Sequence, residues 1–153
     1  KSILFDIEKS IYYLTLAADK NVSEAQFKLG IIYLIKNPTV DANKGLRLIS
    51  QAANNNYAEA QFAIGVFSIN GIFLPKNIKQ GFNYLILASN NQYKMAHFRI
   101  GYLYHDYKYK NRDINKSIKY YKEGSSYNDQ YSKNNIGIKM VLKMKSLKIL
   151  ILL

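Results

Sequence analysis

Side chains that could support catalysis are scarce in this chain of 153 residues, and those present form no catalytic pattern. The two histidines, His97 and His105, are eight residues apart, which does not match the HExxH spacing of a helical zinc site. The sequence has no cysteine, which excludes a thiol nucleophile, a disulfide or a cysteine-bound metal. GxSxG, P-loop and dinucleotide-binding patterns are also missing. We therefore predict that the chain is not an enzyme and binds no metal or cofactor.

The chain is basic, with 22 Lys and Arg against 10 Asp and Glu and a formal net charge of +12. Residues 129–153 carry five lysines and a single acidic residue, Asp129, so this end of the sequence is the most basic. Such charge could attract RNA or an anionic membrane. An AT-rich coding sequence, however, produces the same excess of Lys, Asn, Ile and Tyr. We do not expect nucleic acid to be the main partner.

Targeting signals and membrane spans are not evident in the sequence. Lys1–Phe5 is followed by Asp6 and Glu8 rather than by the apolar run of a secretory signal. No uninterrupted apolar stretch approaches the ~20 residues that span a membrane. The lack of cysteine fits a reducing compartment and so favours the cytoplasm, although secreted proteins can also lack cysteine.

Small residues recur at fixed spacing along the chain. Four glycines are 35, 36 and 36 residues apart, and a small residue lies five positions before each of them. The glycines are Gly30, Gly65, Gly101 and Gly137, and the preceding residues are Ala25, Ala60, Ala96 and Ser132. The same spacing relates Ala17-Ala18, Ala52-Ala53, Ala88-Ser89 and Gly124-Ser125, and also Asp6, Asp41, Asn77 and Asp113. A period of this length predicts stacked helical repeats, with the small residues where helices approach closely.

Each repeat contains the pattern of two helices. The first helices are predicted at residues 23–35, 58–70 and 94–107, because Ala25, Leu29 and Ile32 and their equivalents follow helical spacing. The second helices are predicted at residues 42–54, 78–90 and 114–126, with Asp41, Asn77 and Asp113 as their N-caps. The connections are short, so neighbouring helices should be antiparallel. Gly45 and Gly81 fall outside the recognised repeat positions, and we expect no specific role for them.

A sequence motif of nine residues gives the repeat its family resemblance. AQFKLGIIY at Ala25–Tyr33 recurs as AQFAIG at Ala60–Gly65 and as AHFRIGYLY at Ala96–Tyr104. Over residues 6–137 this pattern resembles the Sel-one-like repeat, a branch of the tetratricopeptide superfamily. Tetratricopeptide repeats proper differ in length and in the positions of a Trp and a Pro. Pentatricopeptide repeats, which read RNA, have a different signature.

The resemblance implies an all-α, right-handed α/α solenoid of tetratricopeptide-like helix-turn-helix repeats. Residues 6–21 would form the second helix of an incomplete first repeat, followed by repeats at 22–56, 57–92 and 93–128. Residues 129–153 would form a partial repeat or a C-terminal capping helix. Families of this type are adaptors that bind partner proteins. Some bacterial relatives bind or hydrolyse β-lactams, but those carry a disulfide in each repeat, so we do not expect that activity here.

The resemblance also implies a partner-binding surface, because the inner helices of tetratricopeptide-like proteins line a concave groove. Carried over to this sequence, the groove would be lined by Phe27, Phe62 and Phe98 and by Ile31, Val66 and Tyr102. It would accept an amphipathic helix or an extended apolar peptide of an unidentified protein. The alternative is that the phenylalanines pack between adjacent repeats, and the sequence does not separate the two. RNA binding through basic charge and tyrosine stacking is the second functional hypothesis.

One further position and one further segment carry specific expectations. His97 occupies the repeat position of Gln26 and Gln61, and we interpret this position as exposed and polar. In residues 138–153, lysines alternate with Met and Leu, which favours a capping helix over the last repeat but leaves membrane contact possible.

Overall fold

The described part of the protein is entirely helical. The computed structural model describes residues 3–36, 41–106 and 112–126, and these ranges contain seven α-helices and no strand. The helices are α1 (Ile3–Asp19), α2 (Ser23–Lys36), α3 (Ala42–Asn54), α4 (Ala58–Asn70), α5 (Ile78–Asn90), α6 (Lys94–His105) and α7 (Ile114–Ser126). The all-α helical-repeat fold is therefore confirmed. None of the helices described is long and apolar enough to cross a lipid bilayer.

The helices pack as the hairpins that the short connections predicted. The chain forms two compact units, of which Lys1–Asn91 contains α1 to α5 and Gln92–Leu153 contains α6 and α7. In the first unit α2 packs on α3 and α4 on α5, with α1 against α2 and α3 against α4. In the second unit α6 packs on α7. Each hairpin thus joins one first helix to one second helix.

Small apolar residues form the core of the first unit. One cluster contains Leu34, Ile49, Ala52, Ala53, Ala60 and Ile64, and a second contains Ala18, Ala25 and Leu29. The alanines come from the repeated small positions, and their short side chains leave room for the larger Leu and Ile side chains of neighbouring helices. The repeated small residues are therefore core positions in this unit.

Glycines bring the two helices of each hairpin in the first unit into backbone contact. A β-carbon added to Gly30 would lie 2.8 Å from the carbonyl oxygen of Gly45, and one added to Gly45 would lie 2.7 Å from that of Gly30. In the next hairpin, a β-carbon on Gly81 would lie 2.6 Å from the carbonyl oxygen of Gly65. The expectation that Gly45 and Gly81 have no specific role is therefore wrong. Their contacts are with glycines on a different helix, which the spacing of residues along the chain does not reveal.

Gly45 and Gly81 belong to a further column of small residues. Its members are spaced by 35, 36 and 36 residues, like those of the columns described above, and they are Ser10, Gly45, Gly81 and Ser117. In the hairpin of α6 and α7 the buried hydroxyl of Ser117 donates a hydrogen bond of 2.8 Å to the carbonyl oxygen of Gly101. Serine therefore fits this crossing because it replaces a backbone contact by a hydrogen bond.

The turns between repeats share one backbone conformation. Asn21 and Asn56 have φ of 61° and 62°, in the left-handed region that asparagine tolerates. The following amide of Val22 donates to the carbonyl of Ala17, and that of Tyr57 donates to Ala52. This is the Schellman arrangement, which satisfies carbonyl groups at the end of α1 and of α3. It fixes the direction in which the next repeat begins.

Only two of the three predicted N-caps accept a capping hydrogen bond. The side chain of Asn77 accepts from the Gln80 amide at 2.9 Å, and Asp113 Oδ1 accepts from the amides of Asn115 and Lys116. Asp41 stands at the N-cap position of α3 but accepts none, so its predicted capping bond is wrong. Its backbone, with φ −102° and ψ 0°, is outside the extended region that directs an N-cap oxygen at the helix amides.

The first helix also begins earlier than predicted. The predicted range began at Asp6, which shares a repeat column with Asp41, Asn77 and Asp113, but α1 begins at Ile3 and includes Asp6. Asp6 is therefore not at an N-cap position. The other six helices agree with the predicted ranges within two residues, because their start and end signals are local in sequence.

Candidate functional site

The phenylalanines predicted to bind a partner contribute to packing. Phe27 is half-buried against the core of the first unit, and its ring centroid lies 5.6 Å from that of Tyr57, just before α4. In the second unit the ring centroid of Phe98 lies 6.3 Å from that of Tyr121 on α7. Phe62 is also half-buried. The contact of Phe27 with Tyr57 supports the alternative that the phenylalanines pack between adjacent repeats.

The other three predicted binding residues, four positions after the phenylalanines, differ from one another in exposure. Ile31 is half-buried against the core cluster, Val66 is half-buried, and Tyr102 is 43% exposed. The guanidinium of Arg99 lies 5.5 Å from the centre of the Tyr102 ring, within the range of a cation–π interaction. Residues four apart share one face of a helix, so Phe27 lies beside Ile31 and Phe62 beside Val66. Each first helix therefore presents a partly accessible apolar pair.

The position shared by Gln26, Gln61 and His97 is buried rather than exposed. These side chains are 3%, 1% and 5% exposed, so the interpretation of an exposed polar position is wrong. Gln61 Nε2 donates to the carbonyl oxygen of Ala53 at 3.2 Å, and Asn91 Nδ2 donates to Gln61 Oε1 at 2.8 Å. The polar residue type reflects hydrogen bonding to the ends of neighbouring helices. The spacing of residues along the chain does not distinguish such a buried polar position from a solvated face.

The surroundings of Gln26 and His97 differ from those of Gln61. Gln26 Nε2 donates to Asn21 Oδ1 at 2.9 Å, while its buried Oε1 has no hydrogen-bond partner among the described residues. His97 Nδ1 lies 3.4 Å from the carbonyl oxygen of Tyr93. Its ring also lies near Tyr120, with a centroid separation of 6.3 Å. Within the described ranges, no three His, Asp or Glu side chains are placed to share a metal ion.

A cavity that the sequence analysis missed lies in the first unit, between α3, α4, α5 and the turn that precedes α5. Its volume is about 280 Å³. It is lined by Ser50, Ile64, Ser68, Leu74, Pro75, Lys76, Asn77, Gln80 and Tyr84. None of the six predicted partner-binding residues lines it. The signal that could have found it is a change of residue type within a repeat column, from Tyr33 and Tyr104 to Ser68.

Electrostatic interactions in the described residues are mostly weak and exposed. Lys28 pairs with Glu24 one helical turn away, and the pKa of this lysine is raised by its hydrogen bond to the carboxylate. Pairs of this kind contribute little to stability in water. Burial is the main cause that raises the pKa of the Tyr121 phenol, opposed by its hydrogen bond with Ser117. Neither feature indicates a catalytic group.

Some predicted positions lie outside the described residues. They include Ser132, Gly137 and the whole of residues 138–153, so the capping-helix and membrane hypotheses for that segment stay predictions.

The repeat itself decides the family. Four segments of the chain match the Sel1 repeat, at residues 6–22, 23–57, 58–93 and 94–126, well over half of the sequence. The chain belongs to the Sel1 repeat family. The resemblance noted from the sequence is therefore confirmed. Three of the matched segments begin at the first residues of α2, α4 and α6, one residue after the predicted repeat starts.

Solved structures of other Sel1-type proteins share this fold. A Sel1 repeat protein from Oxalobacter formigenes is 25% identical, with a TM-score of 0.71, and the match covers 80% of this chain and 50% of that one. A protective antigen of uropathogenic Escherichia coli with an SLR fold is 22% identical, with a TM-score of 0.71, over 80% of this chain and 26% of that one. The chain thus spans a half or less of these two proteins. No curated protein matches the sequence significantly.

A third structure covers nearly the same length. Cysteine rich protein B of Helicobacter pylori is 17% identical, with a TM-score of 0.64, over 87% of this chain and 96% of that one. Its name describes a cysteine-rich protein, whereas this Sel1 repeat chain has no cysteine. Packing of small residues therefore holds these hairpins together without disulfides. Sel1 repeat proteins are generally non-catalytic protein-interaction scaffolds.

Proposed function

We propose that this Sel1 repeat chain is a scaffold that binds a peptide or amphipathic helix of a partner protein. The proposed binding residues are Phe27 beside Ile31 and Phe62 beside Val66 in the first unit, and Phe98 beside Tyr102 in the second unit. The observation that carries the proposal is that the second position of each pair is partly accessible in all three helices, and Tyr102 is 43% exposed. Family membership supports the interaction role.

The chemistry of this face favours an apolar ligand. The three phenylalanines are half-buried, as are Ile31 and Val66, while Tyr102 is 43% exposed, so the accessible part of this face is apolar and aromatic. A partner helix with apolar residues at positions i, i+3, i+4 and i+7 matches a surface of this type. Because the phenylalanines and Ile31 also pack within the protein, substitutions at Val66 and Tyr102 test binding with less effect on the fold.

The test is the substitution Val66→Asp, which places a charge on the proposed binding face beside Phe62. Affinity purification from the native cell, followed by mass spectrometry, would compare wild-type and variant baits. Proteins retained by the wild type should be lost by Val66→Asp, with affinity falling about tenfold or more, as for a central interface residue. Leu87→Asp is the matched control, because Leu87 is an exposed apolar residue on a second helix, α5.

The control separates loss of binding from general effects of an added charge. Thermal melting of both variants would show that each is folded. If Val66→Asp and Leu87→Asp retain the same proteins as the wild type, this surface does not bind the partner. Equal loss of bound proteins in both variants would also contradict the proposal, because the effect would then not depend on the face that contains Val66.

A further inference from the structure

The cavity between α3, α4 and α5 lies where the other two hairpins contain a tyrosine. Tyr33, Ser68 and Tyr104 occupy the same repeat position, three residues after the glycines of the crossings. Ser68 is 1% exposed and lines the cavity. The second repeat therefore lacks a ring at a position where the first and third repeats have one.

The two tyrosines show what this position normally holds. In the hairpin of α6 and α7, the Tyr104 ring stacks on Tyr120, with centroids 5.8 Å apart and an angle of 19° between the rings. The ammonium group of Lys116 lies 5.4 Å from the centre of the Tyr104 ring. In the hairpin of α2 and α3, Lys44 lies 4.4 Å from the centre of the Tyr33 ring. A cation beside an aromatic ring is thus common to both hairpins.

In the second repeat both members of this pair are replaced. Lys44 and Lys116 correspond in sequence to Gln80, which also lines the cavity. Tyr84 corresponds to Tyr120, and it has no ring partner among the described residues. The cavity therefore retains the ring on which a tyrosine stacks in the third repeat, but not the tyrosine itself.

The empty space is large enough for an aromatic ring. Its volume of about 280 Å³ exceeds the roughly 150 Å³ of an engineered protein cavity that binds benzene. Its lining combines apolar surface from Ile64 and Leu74 with the polar groups of Ser50, Ser68 and Asn77. Lys76 also lines it, so a cation is available close to a bound ring.

We propose that this cavity binds an aromatic side chain of a partner protein, stacked on Tyr84 as Tyr104 stacks on Tyr120. The partner would supply the ring that the second repeat lacks. This inference rests on the proposed interaction function, but it concerns a different surface from the apolar pairs of the first helices. It specifies the chemistry of one anchor residue in the partner.

The direct test uses small probes and the full chain. N-acetyl-L-tyrosinamide and N-acetyl-L-leucinamide would be titrated while NMR signals of Ser68 and Tyr84 are followed. The tyrosine probe should shift these signals and bind about tenfold more tightly than the leucine probe, because stacking adds to the burial of apolar area. Equal affinities, or shifts confined to residues outside the cavity, would overturn the proposal.

Ser68→Tyr supplies the missing ring from the protein itself. This variant should lose the tyrosine-probe shifts at Tyr84 and should melt at a higher temperature than the wild type, because the cavity is filled. Ser68→Ala is the control, since it leaves the cavity open and should retain probe binding. If Ser68→Tyr does not fold, Tyr84→Ala provides the second variant, and it should weaken probe binding about tenfold.

The outcomes here are separate from those of the proposed function. A partner that is lost by Val66→Asp but retained by Ser68→Tyr would support the scaffold function and overturn the aromatic anchor. Unchanged binding of the tyrosine probe by Ser68→Tyr, in a folded variant, would overturn it as well.

Discussion

At the scale of single residues, the crossings of the first-unit hairpins require glycine because the two helix backbones leave no room for a β-carbon. The backbone angles of these glycines do not require it. A helical glycine costs about 1 kcal/mol relative to alanine, so its presence needs a compensating contact. At Gly81 that contact is with a backbone carbonyl, which cannot move aside as a side chain can. The close approach also lets Leu85 and Ile69 of the paired helices reach into the crossing.

We predict that Gly81→Ala lowers the free energy of unfolding by about 1–3 kcal/mol, despite the higher helix propensity of alanine. The added β-carbon would lie 2.6 Å from both the Gly65 carbonyl oxygen and Ile69 Cγ1. Gly124→Ala is the control, because its nearest neighbours are side-chain atoms, the first of them 3.2 Å away at His97 Cβ. Urea denaturation measures both. A Gly81→Ala variant as stable as the wild type would contradict the close crossing.

At the scale of helices, the capping hydrogen bond of a second helix depends on whether its cap residue is extended. Asn77, with φ −145° and ψ 93°, directs its side chain to the Gln80 amide, whereas Asp41 does not reach an amide. The peptide amide of Asn77 also donates to the Ser68 carbonyl at 2.7 Å, and that of Asp113 donates to the Tyr104 carbonyl. This second bond closes the turn from the preceding helix and reproduces the same hairpin geometry in both units.

We predict that Asn77→Ala lowers the free energy of unfolding by about 1 kcal/mol, because the Gln80 amide loses its acceptor. Asp41→Ala should change it by less than about 0.5 kcal/mol, because no capping hydrogen bond is lost. Thermal and urea denaturation of the two variants provide the comparison. The structural difference between the two caps would be refuted if the substitutions had equal effects.

At the scale of the whole molecule, the successive repeats within Lys1–Asn91 are joined by polar as well as apolar contacts. Gln61, buried on α4, bonds to the end of α3 through Ala53 and to the residue after α5 through Asn91. In repeat proteins stability is the sum of contributions from each repeat and from the contacts between neighbours. Gln61 therefore stabilises the unit by connecting three helices.

We predict that Gln61→Leu lowers the free energy of unfolding by about 1–3 kcal/mol, because it leaves the hydrogen-bonding groups of Ala53 and Asn91 without this partner. Gln26→Leu should cost less, since Gln26 Oε1 is already buried without a partner among the described residues. The urea concentrations at which half of each variant is unfolded measure this difference in stability. A larger loss for Gln26→Leu would show that the hydrogen bonds of Gln61 do not connect the repeats.

The sequence by itself determined the repeat period, the helix ranges and the family. These follow from the spacing of small and apolar residues and from turn residues, and each such signal is local or recurs at a fixed distance. Six helices were predicted within two residues of their ends for this reason. The predicted partner-binding residues could be named only through the resemblance, and their role stays a proposal.

Only the tertiary structure decided which residues meet across helices. It placed Gly45 opposite Gly30, buried Gln61 and His97, and left a cavity beside Tyr84 where Ser68 replaces a tyrosine. The sequence contained all of these residues, but periodicity reports the spacing along one helix and not the identity of the neighbour on another. Burial and cavity volume depend on that neighbour, because a side chain fills space or makes a hydrogen bond only with the atoms that surround it.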